Sequence, residues 1–218
     1  ARAATRSSRV RSVTSASSLP LPVDRDAFKG GIPEIAHLKP IANFGAYVER
    51  KLFVHNLSHA ATAYLGHLRG HEFIWQAIRD NAVRERVEAA TIESCNALAL
   101  RRGLDRAALE EHRLDLIHRY HNRGLADQVE RVARDPVRKL GREDRLVGGA
   151  LQCLEAGITP QEIGFTVAAA MRYDSPTDPG ARRVQALMAQ GGVNAVLAEI
   201  CQIGPESPLA ELVRAGDA

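Results

Sequence analysis

The sequence predicts an all-α, multi-helix domain over 46–218, behind an irregular connector over 21–45 and a disordered basic tail over 1–20. Three observations carry that prediction. Hydrophobic residues make up 45% of the 218 and aromatics only 5%, so the core must be built mainly from Ala, Leu, Val and Ile. Ala and Leu lose little side-chain freedom in a helix. No stretch after Ala46 combines β-branched enrichment with two-residue alternation. Helix starts and stops recur through the same region without a fixed repeat.

The elements follow in order. The opening ARAATRSSRVRSVTSASSLP is rich in Arg and Ser and carries no acid. Such a segment cannot bury enough apolar surface to offset chain entropy, so disorder is expected. An organelle leader and a fragment end or read-through segment both fit this composition. The fragment reading is preferred, because the chain opens on Ala. In LPLPVDRDAFKGGIPEIAHLKPIANFG (19–45), Pro20, Pro22, Pro33 and Pro40 predict a connector or at most one last short strand. From Ala46 the pattern is helical, for seven to nine helices. Gly66 and Gly70 are expected to end the first long helix, and Gly103 to end a second through VRERVEAATIESCNALALRRG. Asp105 is placed to cap RAALEEHRLDLIHRY, and Thr159-Pro160-Gln161-Glu162 reads as a capping box. Asp178-Pro179 and Ser207-Pro208 repeat the cap-then-proline device.

Charge and cysteine content narrow the function classes. The formal charge of +3 owes part of its sign to the tail, which gives little reason to expect nucleic acid as a partner. Cys95, Cys153 and Cys201 are odd in number, widely spaced and lack a CxxC. That usage points to a reduced, cytoplasmic protein. No apolar run approaches the ~18 residues that span a bilayer, so no membrane partner is expected.

Chemistry concentrates in ERKLFVHNLSHA (49–60). On an uninterrupted α-helix, taking Lys51 as zero, His55 falls near ~40°, His59 near ~80° and Asn56 near ~140°. Four polar groups on under half of an otherwise apolar helix must face solvent, a polar element or a cleft. Taken singly, each has a plain structural reading: a solvated Lys, a locally bonded Asn, a satisfied His. Together they complement one another. A Lys beside Arg50 and imidazoles, partly desolvated, can lose its proton near neutrality and take one from an alcohol. An Asn amide can hold the oxygen on which charge develops, and a His can orient the hydroxyl. A metal hydrolase is the competing class, since His55 and His59 have zinc-ligand spacing. The intervening Asn-Leu-Ser lacks the Glu of HExxH, and only His67 and His71 follow as further ligands.

YVERKLFVHNLSHAATAYLGHLRG resembles the opening of the C-terminal domain of the polyol-specific long-chain dehydrogenase/reductase family. Its Lys-x4-Asn-x2-His motif falls on Lys51, Asn56 and His59. RYHNRGLADQVERVARDPVRKLGREDRL (119–146) and FKGGIPEI (28–35) are similar to flanking stretches of that family, so the resemblance spans about 28–203. It implies metal-independent, NAD-linked interconversion of D-mannitol 1-phosphate and D-fructose 6-phosphate. In that chemistry Lys51 would act as base or acid, Asn56 would stabilise the oxyanion and His59 would position the hydroxyl. His55 departs from the small or polar residue usual at its position and would adjoin the substrate. Arg134, Arg138 and Lys139, with Arg142, form a candidate phosphate site, since guanidinium groups fork onto phosphate and Pro136 opens a helix whose N-terminus favours anions. The plain reading of that cluster is a surface charge run paired with Asp135, Glu143 and Asp144.

The same resemblance implies a Rossmann domain ahead of the helical one, yet no GxGxxG follows a strand, and Gly30-Gly31 lies in the proline-rich connector. The chain is therefore expected to hold the substrate and acid–base half, with NAD bound mainly by a domain outside it. A fragment of a longer enzyme is the preferred account. A separately encoded nucleotide-binding partner, or a non-catalytic module that binds sugar phosphate or protein, are the alternatives.

Overall fold

A computed structural model describes residues 20–217, so the expectation of a disordered tail falls almost wholly outside the described residues. The chain divides into two compact units, one ending at Tyr47 and one beginning at Val48.

In the first unit the connector is not irregular throughout. Strands β1 (Leu21–Asp24) and β2 (Leu38–Ile41) pair in parallel, Leu21 opposite Leu38 and Asp24 opposite Ile41. Four-residue strands are too short to display alternation, and each holds a proline, which usually argues against a strand. In a two-stranded sheet each strand keeps an open edge, where a missing N–H costs nothing. Asp24 accepts a hydrogen bond from the Asp26 N–H at 3.0 Å and starts a 3-10 turn, Arg25–Ala27.

Helix α1 (Phe44–Arg50) leads into the second unit, which is helical as the composition predicts. There follow α2 (Leu57–Leu68), α3 (Ile74–Ala77), α4 (Asn81–Arg102), α5 (Arg106–Tyr120), α6 (Val129–Ala133), α7 (Pro136–Lys139), α8 (Val147–Glu155), α9 (Gln161–Met171), α10 (Pro179–Val196) and α11 (Pro208–Asp217). The short α3, α6 and α7, of four or five residues, escaped the periodicity count, because one turn of helix has no period to show. Helix α2 is the hub. Leu57, Ala60, Ala61, Ala63 and Tyr64 are fully or almost fully buried, and α3, α4, α6 and α9 pack around them. The Tyr64 hydroxyl donates to the Ala133 carbonyl at 2.8 Å, so the largest side chain of the hub is buried with its polar end satisfied.

Several boundaries are as predicted. Asp105 accepts from the Ala108 N–H at 2.7 Å, and Asp178 accepts from the Gly180 and Ala181 N–H groups at 2.7 and 3.2 Å. Gly103 closes α4 at φ +62°, a left-handed conformation that glycine enters without a Cβ penalty. Two expectations need correction. Gly66 does not end a helix but lies inside α2, where an added Cβ would stand 2.6 Å from the Ala77 Cβ, so it serves the close approach of α3. The Thr159–Glu162 capping box does not form. The α9 N-terminus is capped from another helix, by Glu93 of α4, whose carboxylate accepts from the Glu162 and Ile163 N–H groups at 2.9 and 3.1 Å.

Cys95, Cys153 and Cys201 are free and buried, and burial pushes their thiols up to about 12. Among the described residues, no helix is long and apolar enough to cross a membrane.

Candidate active site

The polar motif does not sit on an uninterrupted α-helix. Between α1 and α2 the chain winds as a π-helix from Lys51 to Asn56, and the Leu57 N–H reaches back to the Leu52 carbonyl, an i→i+5 bond. The difference matters for geometry. On α winding, Asn56 stands well round the helix from Lys51. A turn that closes on the fifth residue brings Asn56 closer round to Lys51. The buried side of this segment is pressed against α8: a Cβ at Gly148 would stand 3.0 Å from the Phe53 ring, and one at Gly149 would stand 2.8 Å from Leu57 Cδ1. Two adjacent glycines therefore admit Phe53 and Leu57, and leave the polar residues on the outer face.

Lys51 is exposed and Asn56 half-buried. The Asn56 carboxamide makes no capping bond to α2 and no hydrogen bond to another described residue. The burial expected of Lys51 is thus not supplied by the described residues. The His55 imidazole is pulled below its ordinary range by burial first, then by Arg119 and Lys51. His59 is buried more deeply. Its ring stacks on Tyr120 at 5.2 Å and 12°, and meets His55 edge-on at 6.4 Å. Burial lowers its pKa to about 4, against the upward pull of Asp127. Nε2 stands 3.4 Å from Asp127 Oδ2 without the alignment of a hydrogen bond. With the ring neutral at neutral pH, this is an imidazole beside a carboxylate and not a salt bridge. Asp127 in turn pairs with Arg131.

Three neighbours were not singled out from the sequence. His112 of α5 is lowered to about 4 by burial, then by Arg50 and His55, which places a third neutral imidazole near the motif. Tyr120, also of α5, puts its hydroxyl 2.8 Å from Ser58 Oγ and 3.2 Å from the His55 carbonyl. Asp127 lies inside the stretch that carried the family resemblance, but only the fold shows that it meets His59.

The predicted basic cluster does not converge. Arg138 bonds Asp135 at 2.9 Å and lies 3.9 Å from Asp144, the plain charge-run arrangement. Lys139 is 3% exposed, donates Nζ to the Arg134 carbonyl, and is lowered to about 8 by burial, then by Arg145 and Arg138. Arg142 donates to the Gln202 carbonyl at 2.7 Å. The α7 N-terminus is not open to an anion: it is one turn long, and the Asp135 carboxylate already faces the Arg138 N–H. Of the cluster, only the Arg134 guanidinium has neither an ion pair nor a hydrogen bond among the described residues, and it lines a cleft of about 420 Å³ together with Arg131, Gln128 and Tyr173. Glu130 and Asp178 also line that cleft, but Glu130 holds the Ser175 and Thr177 hydroxyls and Asp178 holds backbone N–H groups.

The histidines considered as metal ligands are engaged elsewhere. His67 bonds Asp174 at 2.9 Å and His71 bonds Asp80 at 3.1 Å. Among the described residues, no three His, Cys, Asp or Glu side chains stand together as a ligand set. A dinucleotide fits no better. Among the described residues the one pair of strands is joined through a 3-10 turn, without a helix N-terminus to receive a pyrophosphate.

Known proteins share this fold. Residues 43–213 match the family model described as the mannitol dehydrogenase C-terminal domain. A mannitol-1-phosphate 5-dehydrogenase of Brevibacillus brevis is 37% identical over 192 residues, 88% of this chain and 50% of the relative. The chain thus spans about half the length of that curated relative. Among solved structures, Pseudomonas fluorescens mannitol 2-dehydrogenase in ternary complex with NAD and D-mannitol superposes with a TM-score of 0.69 at 25% identity, covering 86% of this chain and 40% of that one. A D-sorbitol dehydrogenase in substrate-free form gives 0.65 at 18% identity, covering 85% and 41%, and supports the fold alone. With the family match running from the start of α1 almost to the end of α11, the chain belongs to the mannitol dehydrogenase family, as its C-terminal domain.

Proposed function

We propose that this chain is the substrate and acid–base half of an NAD-linked polyol-phosphate dehydrogenase that interconverts D-mannitol 1-phosphate and D-fructose 6-phosphate. One observation carries the reading: Lys51, Asn56 and His59 lie on one continuous winding, and among the described residues nothing hydrogen-bonds the Lys51 amine or the Asn56 carboxamide. The 37% identity to a mannitol-1-phosphate 5-dehydrogenase supports the choice of substrate.

In this reading the Lys51 amine takes the proton from the substrate hydroxyl during oxidation and returns it to the carbonyl oxygen during reduction. The Asn56 amide donates to that oxygen as negative charge develops on it. The neutral His59 ring, held by Tyr120, orients the hydroxyl. The desolvation of Lys51 would come from whatever closes over its face in the complete enzyme. NAD supplies the redox chemistry in such an enzyme, and because the described residues do not fit it, no step on the cofactor side is assigned to this chain. The phosphate is directed to Arg134, the one member of the basic cluster with a free guanidinium on a cleft.

The test joins the chain to a nucleotide-binding domain and follows NADH formation from D-mannitol 1-phosphate. Lys51→Ala is expected to lower kcat by about a thousandfold or more, the size of a lost general base compounded by lost positioning. Arg134→Gln is expected to raise KM for the phosphate ester and leave that for free mannitol nearly unchanged. Unchanged turnover in Lys51→Ala would refute the base assignment. NADH formation by the chain alone would overturn the division of labour between the two halves.

A further inference from the structure

The π-helical winding that brings Asn56 closer round to Lys51 is not the conformation a run of Lys-Leu-Phe-Val-His-Asn adopts by itself. An α-helix gives each backbone N–H a better-aligned partner, and π-turns persist where something outside them compensates. The compensation is visible at two carbonyls of the widened turn. Ser94 of α4 donates its hydroxyl to the Phe53 carbonyl at 2.6 Å, in a fully buried position. The His55 carbonyl has two hydroxyls within reach, Ser58 Oγ at 3.0 Å and Tyr120 OH at 3.2 Å, and these lie 2.8 Å from one another. Two hydroxyl protons serve three oxygens, so one hydroxyl donates to the other while that one donates to the carbonyl.

These donors arrive from three separate helices, and both acceptors lie between Lys51 and Asn56. A backbone carbonyl that swings off the α register loses its i+4 partner and, if buried, must find another donor. From this geometry we infer that Ser94, with Tyr120 and Ser58, are positioning residues that hold the 51–56 segment in π winding. They thereby hold position 56 closer round to position 51 than α winding would. Tyr120 couples the two halves of the motif, since the same side chain that bonds the His55 carbonyl stacks its ring on His59. The glycine pair of α8 closes the buried side and leaves the segment no room to rewind inward.

The inference rests on the proposed function only for what Lys51 and Asn56 do. The winding itself can be read without turnover. The probe is the through-hydrogen-bond scalar coupling between the Leu52 carbonyl and the Leu57 amide in the isotopically labelled 218-residue chain, together with hydrogen exchange at Leu57. Ser94→Ala removes one buried hydroxyl and little volume. It is expected to abolish the i→i+5 coupling and speed Leu57 exchange by about tenfold or more, while amides of α9 and α11 keep their protection. Ser94→Thr, which restores a hydroxyl, is expected to restore the coupling. Tyr120→Phe with Ser58→Ala is expected to act like Ser94→Ala and also to loosen the His59 ring, seen as a change in its carbon shifts.

Persistence of the coupling in Ser94→Ala and in the Tyr120→Phe/Ser58→Ala chain would overturn the proposal. So would a Ser94→Ala chain that fails to fold while Ser94→Thr folds, because the hydroxyl would then support the domain at large. Failure of the Lys51 assignment would appear in the turnover assay and leave the coupling intact.

Discussion

His59 offers a sharp test of how the site is built, because its perturbation has a size and a sign. Burial holds its pKa at about 4, against 6.5 for an ordinary imidazole. The folded protein therefore prefers the neutral ring more strongly than the unfolded chain does. That preference is fully present as stability above pH 6.5, and it is lost as pH falls from 6.5 towards 4. At about 1.36 kcal/mol per pKa unit the whole effect approaches ~3 kcal/mol, and about 2 kcal/mol of it is already gone at pH 5. The side chain is only 23% exposed, so screening removes little of this.

The assay is urea unfolding of the chain and of His59→Gln at pH 8 and pH 5. The wild-type chain should lose about 2 kcal/mol more than the variant over that interval. Asp80, lowered to about 2 by its bonds to His71 and Arg69, titrates below the window and drops out of the difference. Equal losses in the two proteins would mean that the ring is not desolvated in the fold. The stacking on Tyr120 would then be no explanation for a neutral His59.

The other expectations are brief. Asp127→Asn should move the His59 titration below about 4, because Asp127 is the group that raises it; imidazole NMR reads this directly, and an upward shift would refute the contact. Gly66→Ala should destabilise by up to about 2 kcal/mol, since overpacking against Ala77 costs ~1–3 kcal/mol and helix propensity returns only ~1. Gly45→Ala, in a helix with open space around its Cβ, should stabilise by under about 1 kcal/mol. Thermal melts should therefore move in opposite directions for the two glycines, and a common direction would refute the packing argument. Glu93→Ala should cost about 2 kcal/mol by stripping the α9 N-terminus of its acceptor, with the loss of amide protection greatest at Glu162 and Ile163.

What the sequence made legible depended on how local the governing physics is. Asp105, Asp178 and Gly103 act within a few residues of themselves, and each was readable as a cap or a stop. The cap on α9 was not, because Glu93 and Glu162 are neighbours only after α4 and α9 have packed. Thr159-Pro160-Gln161-Glu162 has the pattern of a capping box, but a carboxylate from α4 supplies the acceptor instead. Gly66 misled for a related reason. A glycine in an apolar helix either ends it or admits a neighbour, and only Ala77 at 2.6 Å from the would-be Cβ decides between these. The basic run 134–142 contained its own answer in part, since Asp135 and Asp144 were in view as partners for Arg138, yet the burial of Lys139 was not.

The winding of 51–56 is the strongest case. Residue types pointed to Lys51, His55, Asn56 and His59, the family resemblance singled out Lys51, Asn56 and His59, and the wheel drawn for them assumed the commonest helix. That wheel put all four polar groups on under half of the helix, yet left Asn56 about 140° from Lys51, far round for two groups proposed to share one oxygen. The π-turn reduces that angle, and beside the local Ser58 hydroxyl its supports are side chains at positions 94 and 120, far away in sequence. A motif with an x4 gap between two cooperating residues on a helix is therefore itself a clue. Five-residue spacing matches a turn that closes i→i+5, and the buried hydroxyls of α4 and α5 are where such a turn finds the donors that keep it open.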